Sequence, residues 1–383
     1  MRLELGADQS RMSLLEKVWQ INWGLVLVLC ALTAIGLTAL YSAANGRFDP
    51  WASRQLIRFG FGVVVMLAVA LVDIRIWLRA AYPIYFLALA LLVLVDVAGQ
   101  IGMGAQRWID LGVIQLQPSE VMKIAIVLAL ARFFHGASQE DVGRTAFLMI
   151  PGAMILTPVA LVLKQPDLGT AMMLMAVGGA MLFLAGVQLW KFGVVAALGI
   201  GAIPIAWQFL REYQRKRVLT FLNPESDPLG AGYHIMQSKI ALGSGGLAGK
   251  GFLMGTQSHL NFLPEKQTDF IFTMLAEEFG MVGGVVLLSL YSLLLVYGII
   301  IALGCRNHFG RLLSLGLTTN LFLYVFINIA MVMGLIPVVG VPLPLISYGG
   351  TAMLTVLFGF GLVMSVHIHR EVRIHRRAML GDL

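Results

Sequence analysis

The sequence predicts an all-α integral membrane protein, and three observations lead there. Hydrophobic residues make up 58% of the 383 residues and charged residues only 12%, about half the roughly 25% charged content of a soluble domain. Mean hydropathy is +0.84. The apolar residues also gather in runs of about 20, the length that crosses a hydrocarbon core roughly 30 Å thick as a helix. So little polar surface cannot keep a chain in water. The net charge of +7 then reads as anchoring to anionic lipid, and no nucleic-acid partner is expected.

Taken in order, residues 1–20 are polar and the first apolar run is too long for a secretory signal, so the first helix is expected to be an uncleaved anchor. Ten runs qualify as spans: about 22–41, 55–72, 76–96, 119–134, 146–163, 170–187, 191–210, 271–303, 312–335 and 345–367. The eighth is long and carries Glu277 and Glu278 in its first third, which suggests that it starts outside the bilayer or is strongly tilted. Residues 211–270 form one long loop between the seventh and eighth spans, and 368–383 a basic tail. We read 1–383 as a single polytopic membrane domain. Lys and Arg are denser in the loops on the side of the termini, which places 1–20 and the tail in the cytoplasm and the long loop outside. Cys30 and Cys305 make neither a disulfide framework nor a metal site. The segment Ile336–Pro344 is apolar yet rich in proline, which lacks an N–H and blocks helix. It is expected to be a stiff turn or a re-entrant wall of an outward cavity.

Four constellations are candidates for chemistry. In Gln117-Pro118-Ser119-Glu120-Val121-Met122-Lys123, proline opens a helix and Glu120 and Lys123, three apart, share a face. Either they form a satisfied ion pair, or Lys123 meets an anion in an outward cavity and Glu120 orients it. In Lys164-Gln165-Pro166-Asp167, Asp167 is placed to cap the next helix, or to hold outer loops together or touch substrate. The run from Gly243 to Gly251 superficially resembles a phosphate loop. Both nucleotide templates fail: Gly251 replaces the Ser or Thr after the lysine, and Ala248 breaks the G-x-G-x-x-G pattern. A flexible or close-packed loop is expected instead. Finally, Asp269 follows a proline-containing turn and precedes Phe270-Ile271-Phe272-Thr273-Met274-Leu275-Ala276-Glu277. If this is helix, Asp269, Thr273 and Glu277 share a face. The basic groups crowding the nearby loop suit an anionic substrate.

Several segments together resemble the shape, elongation, division and sporulation (SEDS) family, closest to its rod-elongation branch. They are Gly104-Ala105-Gln106-Arg107-Trp108-Ile109-Asp110-Leu111-Gly112, Gln117-Pro118-Ser119-Glu120, Gln165-Pro166-Asp167-Leu168-Gly169-Thr170, 261–272, Ala276-Glu277-Glu278 and Pro342-Leu343-Pro344-Leu345-Ile346-Ser347-Tyr348-Gly349-Gly350. The resemblance implies a peptidoglycan glycosyltransferase that polymerises lipid II into β-1,4 glycan at the outer face of the bacterial cytoplasmic membrane. It also implies a nascent glycan strand as co-substrate and a class B penicillin-binding protein as partner. Asp269 matches the family's essential aspartate.

The donor sugar of lipid II is α-linked and the product β-linked, so one inverting displacement is expected, with Asp269 as general base toward the acceptor hydroxyl. Cations must stabilise the diphosphate that leaves. Lys123 and Arg107 are the first candidates, Arg215, Lys239 and Lys250 further ones. Ser347 is expected to shape the cavity. A divalent cation, magnesium or manganese, would bridge the diphosphate if one is used, although no oxygen-rich cluster in the sequence demands it. The rival readings are a lipid II flippase and a non-catalytic scaffold. A flippase needs access from both faces, and the polar elaboration here lies almost wholly on one.

Overall fold

The computed structural model describes residues 12–98, 100–102, 105–110, 115–209, 212–223, 231–259 and 265–374. Residues 1–11, Gly104, Leu111, Gly112, Arg211, residues 261–264 and the end of the tail with Arg376 and Arg377 lie outside the described residues.

The helices are α1 (Leu14–Trp19), α2 (Trp23–Ala43), α3 (Ala52–Leu71), α4 (Ile74–Ala98), α5 (Pro118–Gly136), α6 (Gln139–Gly143), α7 (Met149–Lys164), α8 (Leu168–Leu184), α9 (Leu189–Phe209), α10 (Glu212–Leu222), α11 (Ala231–Ser244), α12 (Thr256–His259), α13 (Ile271–Gly304), α14 (His308–Val332) and α15 (Gly350–Ile368). Among the described residues each apolar run picked from the sequence overlaps one of them, although the tenth run begins at Leu345 and α15 only at Gly350. Among the described residues, α2, α3, α4, α13, α14 and α15 are long and apolar enough to cross a membrane; α7, α8 and the 189–205 part of α9 are apolar but shorter. Their starts are set by local chemistry. Asn22, Asp167 and Asn307 accept backbone N–H bonds at the heads of α2, α8 and α14, and Pro118 sits in the first turn of α5, where its missing N–H costs nothing.

Helix α5 is the hub. It packs on α4, α14, α8, α7 and α15, and its buried residues lie all around it. Glu120 and Lys123 are therefore buried in protein, the setting in which charges on an apolar helix are tolerated. Three short strands, β1 (Gln100–Gly102), β2 (Ala105–Asp110) and β3 (Gln115–Leu116), form an antiparallel sheet in that order ahead of α5. Gln100 pairs with Trp108, and Ile109 with Leu116. Side chains alternate along a strand, so Arg107 and Trp108 point to opposite faces.

The segment read as a loop, 211–270, departs from that expectation, since its described part carries α10, α11 and α12. Helix α11 packs on α13, and Ser238 donates to the Val332 carbonyl at 2.8 Å and shares a hydrogen bond with Thr273 at 2.9 Å. The long eighth span is neither simply tilted nor simply extended. It breaks at Gly280 (φ 64°, ψ −159°), and the glycine-rich run fills the break. Lys250 N and Gly251 N donate to the Glu277 and Glu278 carbonyls, both at 3.0 Å, while Met281 N and Val282 N donate to the Gly246 and Leu247 carbonyls at 2.9 and 3.1 Å. Backbone groups freed inside a membrane bundle need such partners. The run is therefore a close-packed plug, and its glycines have a steric cause. A Cβ at Gly249, where φ is +81°, would stand 2.1 Å from the Glu278 carbonyl oxygen.

Gly249→Ala is accordingly expected to lower the thermal midpoint of the detergent-purified protein sharply. Left-handed backbone costs roughly 1–2 kcal/mol, and overlap in a packed site costs roughly 1–3 kcal/mol more. An unchanged midpoint would show that the plug is not locked into α13.

Candidate functional site

The turn 265–270, which leads into α13, presents Asp269. Phe270 is the N-cap of α13 and makes no side-chain cap. Asp269 thus precedes the helix and does not share a helical face with Thr273 and Glu277, as the sequence had suggested. Tertiary hydrogen bonds hold the turn. Tyr348 N donates to the Gln267 carbonyl at 2.8 Å. The Ser347 hydroxyl donates to the Thr268 carbonyl at 2.6 Å and accepts from Leu343 N at 2.7 Å. Asn328 Nδ2 of α14 donates to the carbonyls of Asp269 at 3.0 Å and Val341 at 2.7 Å. Gln55 of α3, fully buried, donates to the Ser347 carbonyl at 2.9 Å.

The proline-rich segment 336–349 is thus a folded wall, clamped also by Tyr291, whose hydroxyl donates to the Pro344 carbonyl. The Asp269 carboxylate lies beside Gly340: a Cβ there would come 3.4 Å from Oδ2. Asp269 is half-buried. In the same turn Lys266 is buried, and burial pushes its ammonium pKa below the usual lysine range.

Next to this turn opens a cavity of about 890 Å³, lined by Arg54, Arg58, Ile57 and Phe61 of α3, Trp108 and Asp110 of β2, Gln115, Thr268, Tyr348, Gly350, Thr351 and Leu354. Arg54 and Arg58 are four apart on one helix and so share a face. The Arg58 guanidinium lies over the Tyr348 ring, 4.8 Å from its centroid. Strand alternation aims Trp108 and Asp110 at the cavity. One side is cationic and aromatic and another apolar, and Thr268, the neighbour of Asp269, is on its lining. Sequence reasoning missed Arg54, Arg58 and Tyr348. Their signal was two arginines at helical spacing at the head of an apolar run, read only as an orientation cue.

The other candidates lie elsewhere. Lys123 and Glu120 are buried and bonded at 2.6 Å. The Lys123 ammonium sits over the Tyr324 ring, 4.2 Å from its centroid, and the Tyr324 hydroxyl donates to the second Glu120 oxygen. This is the ion-pair alternative, closed by a tyrosine. Arg107, on the opposite face of β2 from the cavity, grips the 165–167 turn. It donates to the Gln165 and Pro166 carbonyls at 3.3 and 2.5 Å and lies 3.7 Å from Asp167. Asp167 caps α8 through Thr170 N at 3.1 Å. The pair ties the 165–167 turn to β2.

Arg215 donates to the Trp207 and Gln208 carbonyls at 3.0 and 2.7 Å, closing the end of α9. Lys239 lies against Gly334, beyond the end of α14, where a cation suits the helix dipole. Lys250 is taken up by Glu277 at 2.7 Å, and Glu277 also accepts Thr256 N and Gln257 N at 2.9 and 3.1 Å. Glu278 accepts from Ser42 of α2. Both buried glutamates therefore brace the kink in α13. Asp269 and Ser347 come together; the cations chosen from the sequence do not line the cavity beside them.

Residues 20–372 match the model of the FtsW, RodA and SpoVE family, described as cell cycle proteins. The chain is 47% identical over 350 residues to the peptidoglycan glycosyltransferase MrdB of Escherichia coli K12, covering 91% of this chain and 94% of that protein. It is 32% identical to the peptidoglycan glycosyltransferase RodA of Treponema pallidum, covering 91% and 98%. Its fold is similar to that of the rod shape determining protein RodA of Thermus thermophilus, with TM-score 0.69, 32% identity and coverage of 92% and 98%. It is also similar to a chain of a peptidoglycan synthase complex that coordinates polymerization and crosslinking, with TM-score 0.79, 35% identity and coverage of 91% and 98%.

Proposed function

Because the chain belongs to the FtsW, RodA and SpoVE family of cell cycle proteins, we propose that it extends glycan strands at the cavity beside Asp269. It is a peptidoglycan glycosyltransferase of the elongation type, a multi-pass protein of the bacterial inner membrane. The substrate of our reading is lipid II, with a growing glycan strand as the other reactant. The acceptor hydroxyl gives its proton to Asp269 as its oxygen attacks the donor's anomeric carbon, and the lipid diphosphate leaves with the bonding pair. Configuration inverts in that one displacement.

The observation that carries the reading is the pairing of a half-buried carboxylate with a cavity that is cationic on one side and apolar on another. An amphiphilic donor needs both. Arg54 and Arg58 are the groups we assign to the diphosphate, replacing the cations picked from the sequence, since fixed positive charge aimed at a developing anion lowers the barrier. Ile57, Phe61 and Leu354 supply an apolar bed for the lipid. A magnesium or manganese ion, if used, would arrive on the diphosphate and share its charge with the arginines.

The Lys and Arg distribution supports an orientation with this end outward and both termini in the cytoplasm. The similarity to a synthase complex supports a class B penicillin-binding protein as partner. The test is direct. Purified chain and lipid II, with and without that partner, are expected to yield a ladder of glycan strands on a gel. Failure with the partner present, alongside transport of labelled lipid II across vesicles, would favour the flippase reading instead.

A further inference from the structure

At the end of α13 far from Asp269, a second cleft of about 560 Å³ is lined by His135, Arg306, Asn307, His308, Arg311, Arg373 and Ile374. That volume falls within the roughly 300–1,000 Å³ of small-ligand sites. The net positive charge had read from sequence as a general anchor to anionic lipid, but the described part of the basic tail is fixed in place. Arg306 N donates to the Arg370 carbonyl at 3.0 Å, and Asn307 Nδ2 to the Val372 carbonyl at 3.3 Å. These bonds strap the tail across the α13–α14 corner, so that Arg373 joins Arg306 and Arg311 around one opening.

Glu371 pairs with Arg306 at 2.9 Å and offsets one of the three arginine charges. Arg311 makes one long bond to the Cys305 carbonyl at 3.4 Å, and Arg373 makes no hydrogen bond or ion pair among the described residues. The cleft also takes in the first turn of α14, a 25-residue helix whose N-terminus adds partial positive charge. Ile374 gives it an apolar edge.

We infer that this cleft binds the phosphate headgroup of an acidic membrane phospholipid, with Arg311 and Arg373 as its principal contacts. The choice of a lipid over a soluble phosphate rests on position. The corner joins two helices long and apolar enough to span a membrane, and basic pockets at such helix ends suit anionic headgroups. A lipid with two phosphates should bind more tightly than one with a single phosphate, since two arginines face the opening.

The test uses the full-length protein, stripped of lipid in detergent, titrated with cardiolipin, phosphatidylglycerol, phosphatidylcholine or inorganic phosphate, and read by native mass spectrometry. Cardiolipin is expected to be retained most strongly. Each arginine near an anionic lipid contributes roughly fivefold, so Arg311→Gln with Arg373→Gln should weaken retention by roughly thirtyfold. Arg373→Gln alone, on the exposed tail, should weaken it about fivefold and carries the test if the double variant does not fold. Arg75→Gln, on the same side but outside the cleft, should change little. Unchanged retention in the cleft variants, equal loss in Arg75→Gln, or equally tight binding of inorganic phosphate would overturn the assignment. The readout is lipid retention, so it stands or falls separately from glycan synthesis.

Discussion

Asp269→Asn is expected to stop glycan formation from purified lipid II while leaving the protein folded. The substitution keeps the shape of the side chain and removes its ability to take a proton. What holds the turn in place is backbone: Asn328 bonds the Asp269 carbonyl, Ser347 the Thr268 carbonyl, and Tyr348 N the Gln267 carbonyl. None of these contacts is lost in the variant. A positioned general base contributes about 10²- to 10⁴-fold, so the polymerisation rate should fall by at least about 100-fold with the thermal midpoint unmoved. Lipid II binding should survive, because the arginines and the apolar bed of the cavity are untouched. A variant that polymerises at the parent rate would remove Asp269 from the chemistry. One that fails only because it no longer binds lipid II would make the carboxylate a binding group.

The parts of this molecule that were legible in its sequence are those where lipid is the solvent. Lipid demands long apolar helices with satisfied backbones, and α2, α3 and α14 stand where apolar runs predicted them. Proline and glycine were legible for a related reason. The 336–344 segment could not be helical, and it proved to be the wall that positions Asp269. What escaped was long-range. Helices α10 and α11 are too polar to announce themselves by hydropathy, and nothing in Gly243–Gly251 says that its backbone will enter a gap in α13. Lys250 read as a candidate cation for the diphosphate because its partner Glu277 lies 27 positions away. Arg54 and Arg58 were passed over because a short sheet, with no strong strand signal, brings Trp108 and Asp110 across to them. A pattern of residues shows which groups are unusual for a membrane. Tertiary pairing decides which of them are silenced and which stay available.

Lys123 shows why that distinction matters for experiments. Read as a diphosphate ligand, its loss should harm donor use and spare expression. In the structure it is 2% exposed, with Glu120 at 2.6 Å and Tyr324 beneath it. Lys123→Met therefore strands a buried carboxylate, which typically costs about 3–5 kcal/mol, and the first expected effect is loss of folded protein. Glu120→Gln in the same chain removes the stranded charge and keeps an oxygen for the Tyr324 hydroxyl. The double variant is expected to recover most of the lost stability, because exchanging a whole buried pair for neutral groups is often close to neutral. Thermal unfolding of the parent, both single variants and the double variant measures the coupling, and strict additivity would refute the pair as a structural unit. Donor kinetics on the folded double variant then separate the two readings. Parent-like kinetics make the pair a strut of α5 against α14, and a raised requirement for lipid II would return Lys123 to the substrate.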